Sequence, residues 1–552
     1  ILAAYHAWGP DCLLRFNGMW AFAIWDRSTE TLFLARDRFG IKPLFVLRTM
    51  DRLAFASEMK AFLSLPGFHP EVNWPVFKAE LLENHSQEGG EACLLRGIQR
   101  IRPGHFAVAT REEFRTVRWW NTLDHLVEAP LGLEQQALRF RELFEDACRL
   151  RMRSDVPIGT SLSGGLDSSS VVCTVARVAR QGDTRQAADW QQAFIATFPG
   201  SAVDEQAYAD TVVAQADVRA VHRAITAEEA LAGVERSIYH IEQLEIAPLA
   251  QLSLLYERQR EHGVIVTLDG HGGDELLAGY PGYVLSALYD AGNLRGSPRR
   301  YLDLLRIYRG MLGSPSDTGP REDLAALAWD TSTWLRNTRK LGRRVGLRLG
   351  PPPRSCDGGG SESWLSGELA ALPAAVPTPA TPIDSASLFR RQHYRDFHET
   401  VLPEILRNYD RLSMAHGVEV RMPLMDWRLV TYAFSLPSSS LLGYGYSKLI
   451  LRRAMRGIVP GAVLDRRDKI GFASPVSQWL QGPWRSWLCD TVSSSDFLNN
   501  PAWDGDRLRH YVEQRLSQDD WTWKSWSTVW SFLHAQMWLR LFTAGAAGSA
   551  RP

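Results

Sequence analysis

The chain is short of the features that mark disulfide-stapled, membrane-bound or nucleic-acid-binding proteins. Its six cysteines, Cys12, Cys93, Cys148, Cys173, Cys356 and Cys489, stand apart with no CxxC pair and no metal-ligand spacing. Neither a disulfide framework nor a zinc ribbon is expected, and a reducing cytoplasm is the expected compartment. No sign of charge is in excess, with Lys plus Arg and Asp plus Glu at 62 each, so no nucleic-acid or membrane-surface partner is implied. There is no signal peptide and no apolar run long enough to span a bilayer; Lys524, His534 and Arg540 interrupt the Trp-rich C-terminal segment. No internal repeat is found. The sequence opens on Ile1 within an apolar, helix-like pattern, so the true N-terminus is expected upstream.

A further absence is chemical. Val156 to Leu162 reads as a strand and runs into Ser163-Gly164-Gly165-Leu166-Asp167-Ser168-Ser169, where Leu166 and Asp167 stand in place of the Lys and Ser or Thr of a Walker loop. Transfer of a γ-phosphate is therefore not expected. What is present suits a pyrophosphate. Glycines let backbone N–H groups crowd a phosphate, a helix N-terminus adds positive potential, and serine hydroxyls donate further bonds. Asp167 is then free to hold Mg²⁺, which prefers carboxylate and phosphate oxygens. Such a loop fits cleavage of ATP between its α- and β-phosphates, with a substrate activated as its adenylate. A ligand-free Ser/Gly turn is the plain alternative, but seven residues in this order after a strand favour the functional reading.

With 552 residues, 45% of them hydrophobic, the chain exceeds one ordinary core and two or more domains are expected. Leu14 to about Val108 reads as strands and turns, with strands at Met19–Trp25, Thr31–Ala35 and Arg52–Ala56. A helix at Leu133–Met152 leads to the loop-bearing strand. Phe194–Phe198 and Val264–Leu268 then read as buried strands and Asp204–Ala216 as a helix. This alternation predicts a parallel sheet with helices on both faces and ligands at the carboxyl ends of its strands. The basic run Arg336–Arg354, the triprolyl and triglycyl stretches after it and the Ala/Pro-rich Leu369–Pro382 predict a surface insertion or linker at 336–385. A solvated basic helix is the simpler reading of that run, and docking of a carrier or acidic partner the alternative. The tryptophans of Trp484–Phe542 are expected to pack helices.

A second strand-then-glycine segment, Val266-Thr267-Leu268-Asp269-Gly270-His271-Gly272-Gly273-Asp274-Glu275, brings acidic groups to a loop, where Asp274 is a candidate second carboxylate for Mg²⁺. Two weaker segments follow, Gly417 to Asp426 (GVEVRMPLMD) and Asp468-Lys469-Ile470-Gly471-Phe472. Together with FNGMWAFAIWD (Phe16–Asp26), ARDRFGIKPL (Ala35–Leu44), SEMK (Ser57–Lys60) and DRLSMA (Asp410–Ala415), they make nearly the whole chain resemble the glutamine-dependent asparagine synthetase family.

The resemblance implies an α+β glutaminase domain at 1–122, a partial αββα N-terminal-nucleophile sandwich. It implies that 123–552 is a Rossmann-like parallel-sheet (α/β) ATP-pyrophosphatase domain with a helical C-terminal part. Glutamine hydrolysis would supply ammonia through an internal tunnel to an acyl-adenylate. By the same resemblance Ser163, Gly164, Gly165, Asp167, Ser168 and Ser169 form the pyrophosphate and Mg²⁺ loop; Leu162, Ala196, Asp269 and Gly270 line ATP; Asp274 is the second Mg²⁺ ligand; and Lys469 stabilises charge on the intermediate. ATP and Mg²⁺ are the implied cofactors, aspartate with ammonia or glutamine the implied substrates, and a homodimer an implied assembly.

Two departures from the family stand out. Its nucleophile is a cysteine at the start of the mature chain. No cysteine here fills that place, so this chain is expected not to hydrolyse glutamine, through truncation and not natural loss. His271 stands where asparagine synthetases carry glutamate and related lactam-forming synthetases a tyrosine paired with a glutamate corresponding to Glu419. We expect His271, oriented by Glu419, to act as a general base on the attacking amine; a plain hydrogen bond to substrate or loop is the alternative. The leading expectation is amidation of aspartate. The alternative is an amidotransferase or a lactam- or macrolactam-forming synthetase working on a specialised metabolite or peptide. An inactive scaffold is disfavoured by the retained Ser163–Ser169, Asp274 and Lys469.

Overall fold

The alternation of side chains along the first strands decides how the N-terminal half is layered. The computed structural model describes residues 1–82, 88–182, 190–293, 297–312, 361–373, 383, 387–468 and 474–543. The first half contributes seven strands among these: β1 (Ala21–Asp26), β2 (Thr31–Arg36), β3 (Phe45–Arg48), β4 (Leu53–Ala56), β5 (Ile98–Arg100), β6 (His105–Ala109) and β7 (Phe114–Arg118). They form two antiparallel sheets, ordered β1-β2-β6-β7 and β4-β3-β5. Successive strand residues face opposite ways. Leu34 and Ala107 accordingly meet Leu44, Val46 and Ile101 between the sheets, while Phe33, Ala35 and Phe106 turn outward onto Tyr5, Cys12 and Leu13 of the first helices. On the far side Phe45 and Leu47 pack on Val76, Phe77 and Leu81 of the helix Trp74–Leu82. The layers run helix, sheet, sheet, helix, as the αββα expectation requires.

The second half is built on five parallel strands, β8 (Ile158–Ser161), β9 (Gln191–Thr197), β10 (Arg219–Ala224), β11 (Val266–Leu268) and β12 (Glu419–Arg421), ordered β10-β9-β8-β11-β12. Taken in chain order this is 3-2-1-4-5, so the winding reverses between β8 and β11, and the crevice at their carboxyl ends is where such sheets bind ligands. Helices cover both faces. Ala193 and Ile195 of β9 face Val171, Val172 and Val175 of the helix Leu166–Arg180, whereas Phe194 between them faces Leu255 of the helix Ala250–Glu261. The sequence did not mark β10. It is an edge strand whose Arg219, His222 and Arg223 break any apolar run.

C-terminal helices, among them Gly505–Gln518 and Trp523–Phe542, close the molecule around Trp484, Trp530 and Trp538, all fully buried. Trp484 Nε1 donates to Ala227 O at 2.7 Å and Trp538 Nε1 to Glu242 O at 3.0 Å. These rings pack helices, as expected. Part of the segment read as a linker is docked: Trp364, Leu365 and Leu369 are buried in the same core, and Ser366 N donates to Ala502 O at 2.9 Å. Of the segment 336–385 expected as a surface insertion or linker, residues 361–373 are held to the core by these three large apolar side chains. The basic run Arg336–Arg354 lies outside the described residues.

The two halves meet through buried charge. Lys42 Nζ lies 2.5 Å from Asp410 Oδ1, and Asn17 Nδ2 donates to Asp426 Oδ2 at 2.9 Å. Glu242 accepts from the backbone N–H groups of Met59 and Lys60 at 2.9 and 2.6 Å. Arg411 lies 3.3 Å from both Glu58 and Glu242. Arg407 joins Glu88, at 3.4 Å, to Glu245, and Arg100 meets the other oxygen of Glu88 at 3.0 Å. Burial pushes the Glu88 carboxyl up, but Arg100, Arg407 and Arg36 together outweigh it and hold the group below its ordinary value. The motifs FNGMW, GIKPL, SEMK, DRLSMA and PLMD, distant in sequence, are thus the two sides of one interface.

Candidate active site

β8 ends at Ser161 and the chain turns through Leu162–Gly165 into the helix Leu166–Arg180. Gly164 makes the turn at φ +74°, and a Cβ there would lie 2.8 Å from Ala209 N and from Tyr208 Cβ, so both conformation and space demand glycine. Ser163 Oγ accepts from Gly165 N–H at 3.3 Å and shares a hydrogen bond with Ser168 Oγ at 3.1 Å. The loop after β11 lies directly against this one: a Cβ on Gly270 would sit 2.7 Å from Ser168 N. Asp269, buried beneath, accepts from Ser161 N–H at 2.8 Å, Thr267 Oγ at 2.9 Å and Tyr256 OH at 3.3 Å. Burial outweighs these donors and pushes its carboxyl up to about 6.

The two loops open on a cavity of about 390 Å³. Leu162, Ser163, Gly165, Asp167, Ser168, Gly270, His271 and Asp274 line it. Of the other expected residues, Gly164 shapes the turn, Ser169 is fully buried behind the loop and Asp269 supports it from below. Ala196 sits near the carboxyl end of β9, outside the lining. Lys469 lies outside the described residues.

Sequence reasoning missed Lys448. Its buried ammonium pairs with Asp167 and lies 2.7 Å from Asp274 Oδ1, so the two expected metal carboxylates already converge on one cation. No group of three or more His, Cys, Asp or Glu that could hold a metal occurs among the described residues. Two carboxylates fit Mg²⁺, which takes one or two from protein and completes its shell with phosphate oxygens and water. Arg452, Arg466 and Arg467 line the same side; Arg466 meets Glu205 at 2.5 Å and Asp468 at 2.9 Å. The i, i+4 spacing of Lys448 and Arg452, and the two arginines preceding Asp468, were the signals available in the sequence.

His271 differs from expectation in two respects. Its ring touches the cavity and packs on Tyr409, but Nδ1 is sealed from solvent with no hydrogen-bond partner. Burial lowers the imidazole to about 3 and leaves it neutral instead of tuned to neutral pH. Glu419 does not orient it. Glu419 pairs in register with Val266 at the start of β11, whereas His271 follows the end of that strand, and the Glu419 carboxylate accepts from Arg421 Nε at 2.6 Å.

The depressed value makes a pH prediction. Between pH 6.5 and 3 the unfolded chain takes up a proton that folded His271 refuses, so this residue costs stability as the pH falls through that window and nothing above it. In thermal melts at pH 7 and 5.5, His271→Asn should lose less stability on acidification than the parent, by about 1 kcal/mol.

Residues 139–540 match the family model described as asparagine synthase, and residues 1–120 the glutamine amidotransferase domain. The chain belongs to the asparagine synthase family. It is thereby an enzyme of the carbon–nitrogen ligase type. A Mycobacterium bovis protein named "Putative asparagine synthetase (glutamine-hydrolyzing)" is 31% identical over 90% of this chain and 73% of its own length. Asparagine synthetase (glutamine-hydrolyzing) 3 of Bacillus subtilis is 26% identical over 87% and 72%. Amidase chyE of Penicillium rubens is 26% identical over 94% and 79%. Among solved structures, the glutamine-dependent NAD⁺ synthetase of Acinetobacter baumannii with ADP covers 62% of this chain and 84% of its own at 13% identity, with a TM-score of 0.20, too slight to carry an argument. No helix among the described residues is long and apolar enough to cross a membrane.

Proposed function

We propose that the chain is a cytoplasmic, ATP-dependent amide ligase that activates a carboxylic acid as its acyl-adenylate and passes it to ammonia, normally derived from glutamine. The observation that carries this reading is the face-to-face arrangement of the Ser163–Ser168 loop with Asp274 and Lys448 across the switch-point crevice. Backbone N–H groups and serines of the loop hold the β- and γ-phosphates. Asp167 and Asp274 would hold Mg²⁺, which supplies charge neutralisation on the pyrophosphate when bound. The Lys448 ammonium turns from the two carboxylates to the phosphates, with Lys469 as a second cation. A carboxylate oxygen of the acid attacks the α-phosphorus, the bond to the bridging oxygen breaks, and pyrophosphate leaves. Ammonia then adds to the acyl carbon, the bond to AMP breaks, and the nitrogen gives up a proton.

The two cysteines of the first half are poor nucleophiles for a glutaminase step. Cys12 and Cys93 are buried, and burial pushes both thiols up, Cys93 to about 12. Ammonium salts are therefore the nitrogen source to test beside glutamine. The synthetase names among the relatives make aspartate the first acid to try. The amidases among them and the neutral His271 support a second reading, in which the acid is a specialised metabolite. The test is product identity with ATP, Mg²⁺, an acid and ammonium. Acid-dependent AMP and pyrophosphate with an amide are expected, whereas ADP and phosphate would overturn the proposal.

A further inference from the structure

Lys448 owes its place to backbone geometry that its own side chain does not supply. It sits at φ +51°, ψ +35°, in the left-handed region that L-residues other than glycine enter only at a cost. Its ammonium has little room to wander, because Gly279 packs so closely on Lys448 Cε and Asp274 Oδ1 that a Cβ there has no space. Just upstream the chain reverses in a two-residue hairpin loop. Gly443 and Tyr446 exchange N–H···O bonds of 3.0 Å each, and Tyr444 and Gly445 between them take φ +54° and +78°. Positive φ at both central positions is the type I′ arrangement, for which Asn-Gly is the preferred pair. Tyr444 is 69% exposed, so burial of its ring does not hold it in that conformation.

Asp303 does. From the helix Pro298–Met311 its Oδ2 accepts from Tyr444 N–H at 2.9 Å and its Oδ1 from Gly445 N–H at 2.7 Å. Two successive N–H groups of left-handed residues thus converge on one anion, the nest arrangement. Arg300, one turn earlier on the same helix, lies 3.9 Å from Asp303 and donates to Leu442 O at 2.5 Å. Neither residue lines the cavity. On the other side of the turn, Arg452 Nε donates to Ser447 O at 2.8 Å.

We infer that Asp303 is a positioning residue: by binding the Tyr444 and Gly445 N–H groups it fixes the turn that delivers the Lys448 ammonium to Asp167 and Asp274. The inference rests on the proposed function for what the cation is used for, and on the geometry alone for how it is held. Without the Asp303 carboxylate Tyr444 relaxes toward negative φ, and the change is carried through three intervening residues to Lys448. Arg452 still holds Ser447 O, so the displacement is partial. A metal ion then meets less competition from the ammonium between Asp167 and Asp274, while the pyrophosphate meets a cation less well placed. Metal affinity and turnover therefore move in opposite directions, which a purely structural role would not produce.

A double-mutant cycle on the whole chain tests this, with Mn²⁺ as the probe, no nucleotide present, and the free ion read by electron paramagnetic resonance. Asp303→Ala should tighten Mn²⁺ binding at least about threefold in the parent, yet change it by less than about 1.5-fold once Lys448→Met has removed the ammonium. In acid-dependent pyrophosphate release the same variant should lower kcat about tenfold and shift KM for ATP by less than about threefold. Adding Tyr444→Asn, which makes the turn Asn-Gly, should return both quantities toward their parental values. Asp303→Asn keeps an acceptor for one N–H; it should fall between parent and alanine variant, and it decides if the alanine variant folds poorly. Unchanged Mn²⁺ binding in Asp303→Ala, an equal change in both Lys448 backgrounds, or no Mn²⁺ bound in either overturns the inference and leaves the proposed function standing. Coupling in the cycle from a chain that yields ADP and phosphate, or no product, with every acid overturns the proposed function and leaves the positioning of Lys448 intact.

Discussion

Asp167→Asn is expected to lower Mg²⁺-dependent pyrophosphate release by about 100- to 1,000-fold, the loss typical when one preorganised charge-stabilising group is removed from a transition state. The substitution is nearly isosteric, which matters because the carboxylate is already crowded: a Cβ on Gly273 would fall 2.5 Å from Asp167 Cγ. Lys448 keeps Asp274 as partner at 2.7 Å, so no charge is stranded and the melting temperature should stay within a degree or two. The expected signature is a fall in rate at saturating ATP, eased by raised Mg²⁺, with the fold intact. A variant that releases pyrophosphate at the parental rate would remove Asp167 from the site.

Arg407→Met should produce the largest loss of stability. Arg407, Glu88 and Glu245 are each 5% exposed or less, and removing one partner of such a group leaves uncompensated charge at a cost of about 3–5 kcal/mol. Glu88 retains Arg36 and Arg100. Glu245 loses the cation it pairs with and keeps Glu404, which repels it. The penalty falls on the ionised form, so it should shrink on acidification: the gap in melting temperature between parent and variant is expected to narrow as the pH falls and Glu245 protonates. Arg407→Lys should recover only part of the loss, because a point charge cannot bridge both carboxylates as the planar guanidinium does. An unchanged melting curve would show that the buried pairs do not hold the halves together.

Most of the scaffold could be read from pattern. Buried parallel strands leave apolar runs, as at Phe194 and Val266, and the loop after β8 is legible because glycine and serine are required there by space and by chemistry. Legibility failed where function depends on elements that meet only in the fold. Lys448 precedes an unremarkable helical segment, Leu449–Ala454, and nothing nearby in sequence says that Asp167 and Asp274 await it. Glu245 and Glu404 are 159 positions apart and resemble ordinary surface acids until the helix Val401–Met414 and the loop at Glu245 converge. The His271 expectation erred for a related reason: an imidazole's basicity is set by what encloses it, and the sequence shows neither the sealed Nδ1 nor the distance to Glu419.

The charged seam between the halves restricts how this architecture can be recombined. Modules joined by loose polar surfaces tolerate exchange, but here an arginine of one half is the counter-ion that lets a glutamate of the other remain buried and ionised, as Arg407 does for Glu88. A chimera that grafted either half onto a foreign partner would inherit orphaned ions on both faces. The halves must therefore be inherited, engineered and truncated as a matched set.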